Sequence, residues 1–149
     1  MANVNLTQAE AEKLFALEKY RIDAKEWLYP HMGGKVIIPL VSWDRREQFR
    51  LDLYRSKIAL SRRTYQNRAR GVVVLVRLDA SGPPHRNPDD EEVPAPHLHV
   101  YREGYGDRWA IPVPSVTFAN LSDTWQTLQD FMEYCSITEP PIIRRELFP

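Results

Sequence analysis

Apolar residues near the N-terminus recur at helical spacing. Leu14 and Leu17, with Phe15 and Ile22, form one stripe, and Trp27 and Leu28 lie beyond it. Thr7-Gln8-Ala9-Glu10 ahead of that stripe fits a capping box, in which the threonine oxygen accepts from an early helical N–H and the glutamate reaches back. The helix is expected to end before Pro30, and His31-Met32-Gly33-Gly34 reads as a turn. The period then shortens to two. Residues 35–43 are rich in β-branched side chains, and Pro39 among them argues for an edge strand or a bulge. Phe49, Leu51 and Leu53 alternate with Arg50, Asp52 and Tyr54, the pattern of a half-buried strand. Residues 56–70 read as a further strand with a turn near Leu60-Ser61. VVVLVRL, residues 72–78, is apolar on both strand faces and is placed centrally in the sheet.

The second half follows the same logic. Residues 81–96 form a loop too long for a simple connection, a length that usually carries function. Residues 97–102 pair with residues 108–113 through a hairpin turn at Glu103-Gly104-Tyr105-Gly106-Asp107. Ser122 is expected to cap a closing helix whose face carries Trp125, Leu128, Phe131, Met132 and Cys135. The proline-broken tail SITEPPIIRRELFP either packs back on the domain or meets a partner. The sum is an α+β fold: an N-terminal helix, an antiparallel sheet of five or six strands and a C-terminal helix, in one domain over residues 1–149.

Composition narrows the setting. Hydrophobic content of 43% and charged content of 27% are those of a globular chain, not a disordered one. No apolar run approaches the ~20 residues that span a bilayer, and the N-terminus lacks a basic stretch followed by an apolar core. The lone Cys135 excludes an intrachain disulfide and a cysteine-based metal cluster. A cytoplasmic protein without a membrane partner is the expectation. Net charge is zero, yet residues 41–86 hold eleven basic against four acidic residues, and residues 87–149 hold four against eleven. A basic middle third can meet phosphates, or the two segments can neutralise each other across the folded surface.

Residues 83–103, PPHRNPDDEEVPAPHLHVYRE, contain three of the four histidines and five of the twelve prolines. Histidine is the side chain most readily used for proton transfer near neutral pH, and a long loop is where such groups are presented. Strand alternation puts His97, His99 and Tyr101 on one face, with His85 in the adjoining loop. Metal-independent phosphodiester chemistry needs a base, an acid and cations over the phosphate. His85, His97, His99, Tyr101 and Arg102 are the candidate catalytic residues. The run SRRTYQNRAR adds phosphate-binding and stacking groups: Arg62, Arg63, Tyr65, Gln66, Arg68 and Arg70, with Arg86 from the loop, are candidates to bind nucleic acid.

Two imidazoles two residues apart also suit a metal, completed by His85 or an acid from residues 89–92. The span HLHVYRE matches part of the cupin metal motif, but Glu91 and Ala110 stand where that motif has glycines, and its second motif is absent. No metal or other cofactor is therefore assigned.

The runs LSRRTYQNRARGVVVLVRLDASGPPHRNPD and PHLHVYREGYGDRWAIP carry a resemblance over roughly residues 55–135. They are similar to an uncharacterised family of small bacterial and prophage-associated proteins with a Tyr-Gln-Asn-Arg segment, a His-x-Asn-Pro-Asp loop and a His-x-His-x-Tyr-Arg-Glu-Gly strand. The resemblance implies kinship and brings no reaction with it. Asp90 follows Asn-Pro-Asp, where a glycine would make the more usual turn. The leading expectation is a small toxin-like or defence-related ribonuclease, with RNA as partner and an antitoxin-like protein as a second. The alternatives are a non-catalytic nucleic-acid- or protein-binding module of a phage or mobile element, such as an inhibitor, and a metal-dependent hydrolase using His-x-His.

Overall fold

A computed structural model describes residues 5–59 and 62–145. The expected turn at Leu60-Ser61 lies outside the described residues. Helix α1 (Gln8–Ala16) begins at the predicted capping box, with Thr7 accepting from the Glu10 N–H and Glu10 accepting from the Thr7 N–H. It stops well short of Pro30. Leu17 is already extended, and β1 (Lys19–Arg21) and β2 (Glu26–Leu28) follow. Lys19 shows why. Its side chain is fully buried, and Nζ donates to the carbonyls of Phe15 and Leu17 at 2.8 and 2.9 Å and to that of Cys135 at 2.7 Å. One cation thus satisfies orphan carbonyls at the ends of two helices.

Strands β3 (Lys35–Val41), β4 (Gln48–Arg55), β5 (Arg63–Ala69) and β6 (Val73–Asp79) run as an antiparallel meander. The chain then makes a small hairpin, β7 (His85–Arg86) with β8 (Glu92–Val93), and returns as β9 (His97–Val100) and β10 (Ala110–Pro112). Helix α2 (Thr124–Tyr134) precedes β11 (Ile137–Glu139) and β12 (Ile142–Arg144). The main sheet has eight strands in the order β10-β9-β6-β5-β4-β3-β1-β11.

The expected sheet of five or six antiparallel strands is therefore too small and too uniform. The difference is β1, from the segment expected as helix, and β11 of the tail, which pairs parallel with it; β12 pairs parallel with β2 in a separate two-stranded sheet. Pro39 sits in a strand with neighbours on both sides, but β1 reaches only Leu40 and Val41 of β3, so the stretch holding the proline is a local edge. The closing helix is capped by Asp123, which accepts from the Gln126 N–H at 3.0 Å, and not by Ser122, whose hydroxyl donates to Asn120.

Both helices cover one face of the sheet. Leu53, Tyr65, Leu78 and Leu98 stand opposite one another across β4, β5, β6 and β9, all fully buried, and Phe131 of α2 packs on Tyr65. Among the described residues no helix is long and apolar enough to cross a membrane.

Candidate functional site on the uncovered sheet face

The face away from the helices carries two polar rows. Register places Lys35, Tyr54, Thr64, Asp79, His97 and Pro112 in one, and Ile37, Asp52, Gln66, Arg77, His99 and Ala110 in the next. Asp79 therefore faces His97, and Arg77 faces His99, by strand pairing alone. Asp79 Oδ2 lies 3.1 Å from Nε2 of both histidines. The Arg77 guanidinium reaches Asp79 at 3.3 Å, Asp107 at 3.3 Å and His99 Nε2 at 2.9 Å.

The loop brings the third histidine. Asn87 acts as a strand in side-chain form: its amide nitrogen donates to the Ala110 carbonyl at 2.9 Å, and its oxygen accepts from the Ala110 N–H at 2.8 Å. This pins the β7–β8 hairpin to the free edge of β10. Pro88-Asp89-Asp90 turns the chain, with Asp90 at φ 71° in the left-handed region and its N–H donating to Asn87. His85 then lies over the other two rings, with centroids 4.5 Å from His99 and 6.0 Å from His97; His97 and His99 are 5.0 Å apart. His97 and His99 are buried, while His85 is half-exposed.

Hydrogen bonds decide where the protons sit. His85 Nε2 and His99 Nδ1 face the carbonyls of Arg108 and Asp107, at 2.7 and 2.8 Å, and so must donate. His85 keeps Nδ1 for other work. His99 keeps Nε2, placed between an acceptor, Asp79 Oδ2, and a donor, Arg77 Nη2. Protonated, that nitrogen donates to Asp79; unprotonated, it accepts from Arg77. His97 directs Nε2 to Asp79, and its buried Nδ1 has no hydrogen-bond partner among the described residues. Burial pushes the Asp79 carboxyl up, but the hydrogen bond with His99 and the charges of Arg77, His99 and His97 outweigh it and hold Asp79 well below the usual carboxylate range.

The three rings, Arg62, Thr64, Arg77 and Asp79 line a cleft of about 230 Å³. Arg62 lies along Gly82, where φ is +123° and a Cβ would stand 3.2 Å from its Nε, so glycine allows both the turn and the close approach. A second cleft of about 420 Å³, lined by Lys35, Asp52, Tyr54, Thr64, Gln66, Arg77 and Asp79, continues from the first along the same face. The donor atoms of Asp79, His97 and His99 lie within 4.8 Å of one another, the one group among the described residues with metal-ligand chemistry.

The remaining expected residues are dispersed. Tyr101 does not continue the histidine face: β9 ends at Val100, and the buried Tyr101 hydroxyl donates to the Leu6 carbonyl and accepts from the Leu6 N–H, both at 2.7 Å. Arg102 lies on the Trp109 ring at 4.0 Å. Strand alternation splits the arginine run. Arg63 and Tyr65 point to the helices, Arg63 donating to the Leu121 carbonyl and Tyr65 sharing a hydrogen bond with Tyr29, its hydroxyl pushed up by burial. Gln66 and Arg68 point to the polar face, where both bond Asp52. Arg70 pairs with Glu47 at 3.0 Å, and Arg86 pairs with Glu92 at 2.9 Å.

Arg77, Asp79 and Asn87 were missed as site residues. A signal for the first two is present: an Arg-x-Asp at the end of an otherwise apolar central strand puts two charges on one face.

No curated protein and no solved structure matches this chain. Residues 6–137 match the model of a family described as a family of unknown function, DUF6978, and the chain belongs to that family.

Proposed function

We propose that the protein is a metal-independent ribonuclease that cleaves by acid–base catalysis in the histidine cleft. The observation that carries this reading is His99 Nε2, which has a hydrogen-bond partner in each protonation state and lies beside a second imidazole and a guanidinium. His99 removes the proton of a ribose 2′-hydroxyl, and the 2′-oxygen forms a bond to phosphorus. The bond from phosphorus to the 5′-oxygen breaks, and His85, carrying a proton, gives it to that leaving oxygen. The products are a 2′,3′-cyclic phosphate and a 5′-hydroxyl. Arg77 and Arg62 offset the charge on the phosphate oxygens, and Asp79 positions His97, His99 and Arg77.

The test is incubation of purified protein with RNA in excess chelator. Cleavage that falls about 100-fold or more in His99→Ala and in His85→Ala supports the reading. No cleavage, or equal cleavage by the variants, overturns it; salt-dependent RNA binding without turnover would make the protein a binding module. A second reading, a divalent cation on Asp79, His97 and His99, draws on the spacing of their donor atoms. Arg77 argues against it, because its charge lies 2.9 Å from one of the donor nitrogens. Stoichiometric zinc or manganese lost in His97→Ala would select that reading. The toxin-like or mobile-element setting belongs to the same proposal and is tested by the neighbouring gene: a small antitoxin-like partner beside it is the expected result.

A further inference from the structure

The second cleft contains an amide whose orientation is set from below. Asp52 is held by Arg68 through Nε at 2.6 Å and Nη2 at 2.9 Å, and Arg68 is anchored in turn by Nη1 on the Gly71 carbonyl at 2.8 Å. The Asp52 carboxylate can only accept, so the Gln66 group 2.6 Å from it must be the amide nitrogen, not the oxygen. The Gln66 carbonyl oxygen and its second N–H have no protein partner among the described residues and belong to a side chain that lines the cleft. Tyr54 stands in the adjacent row on the neighbouring strand and is 40% exposed. At the far end Lys35 is exposed and has no ion pair among the described residues. Gln66 lies two strands from His99, about 10 Å at ordinary strand spacing, and the two clefts share Thr64, Arg77 and Asp79.

We infer that this cleft is a nucleobase subsite: Tyr54 stacks on a base of single-stranded RNA, Gln66 reads its edge with one acceptor and one donor, and Lys35 holds the outer phosphate. An amide free to rotate would accept either pattern, whereas one clamped by Asp52 discriminates between base edges. A stacked ring and a single amide suit an unpaired strand, because in a duplex the base edges are already occupied. The inference rests on the ribonuclease reading for its choice of RNA, and its test is separable from catalysis.

The probes are tetranucleotides with one varied base, in two series. The 2′-deoxy series cannot form the cyclic phosphate and reports binding alone; the ribose series reports the cut site. In the 2′-deoxy series the full-length protein is expected to favour one base about tenfold at a single position. Gln66→Leu is expected to erase that preference, and Tyr54→Ala to weaken all four bases about equally, by roughly tenfold. Tyr54 is exposed, so its variant remains informative if Gln66→Leu fails to fold. Equal affinity for all four bases, or an unchanged preference in folded Gln66→Leu, overturns the inference. Base-selective binding with no cleavage of the ribose series leaves the subsite standing and removes the ribonuclease. Cleavage without base preference overturns the subsite alone.

Discussion

Arg77 serves three partners at once, Asp79, Asp107 and His99, and only a planar fork of donors can do so. Arg77→Lys keeps the charge and loses the fork; RNA cleavage is expected to fall about 100-fold while the thermal midpoint moves little. Asp79 has a second role, in pH-dependent stability. Its folded carboxyl lies below the ordinary range, so its contribution is fully present above the unfolded value of about 3.9 and is lost as pH falls through the folded value. Urea midpoints measured from pH 7 down to pH 2 should show Asp79→Asn less stable at pH 7 by about 1–3 kcal/mol, with a smaller further loss on acidification. An identical acid slope in the two proteins would contradict the assignment.

At the scale of elements, the β7–β8 hairpin depends on one side chain. Asn87→Ala removes two buried hydrogen bonds to β10 and should cost about 2 kcal/mol. Hydrogen exchange is the informative readout: faster exchange confined to residues 85–93, with the meander β3 to β6 unchanged, is expected, and global loss of protection would refute a local clamp. Strand alternation governs the arginine run in the same way. Arg63→Ala removes a guanidinium buried against α2 and should destabilise the fold by a few kcal/mol, whereas Arg62→Ala, next door and exposed, should leave the thermal midpoint unchanged and weaken RNA binding.

Over the whole molecule, the arginines of the basic segment are neutralised mostly by acids of that same segment, and among the described residues two ion pairs, Arg77–Asp107 and Arg86–Glu92, bridge it to the acidic one. Arg68 pairs with Asp52, Arg70 with Glu47, Arg77 with Asp79 and Asp107, and Arg86 with Glu92. The cations left for phosphate along the two clefts are Lys35 and Arg62, with a share of Arg77. Binding of single-stranded RNA should therefore depend weakly on salt, with a slope of log K against log salt of about −2 for about three phosphate contacts. A slope near −5, measured by fluorescence anisotropy, would require the whole basic segment and would place the strand elsewhere.

The capping box at Thr7, the alternation in β4, the central position of β6 and the β9–β10 pairing were all determined by the sequence itself, because each rests on local periodicity or local turn chemistry. The tertiary structure alone decided the rest. Whether the tail joined the sheet depended on β1 offering a free edge to β11, distant in sequence, and β12 formed a second small sheet with β2. Tyr101 left the histidine face because the N-terminal segment offered its hydroxyl two backbone partners. Asp79 and Arg77 entered the site because cross-strand register, not spacing along the chain, sets which side chains meet. The sequence located the histidines; strand pairing supplied the carboxylate and the guanidinium that hydrogen-bond them.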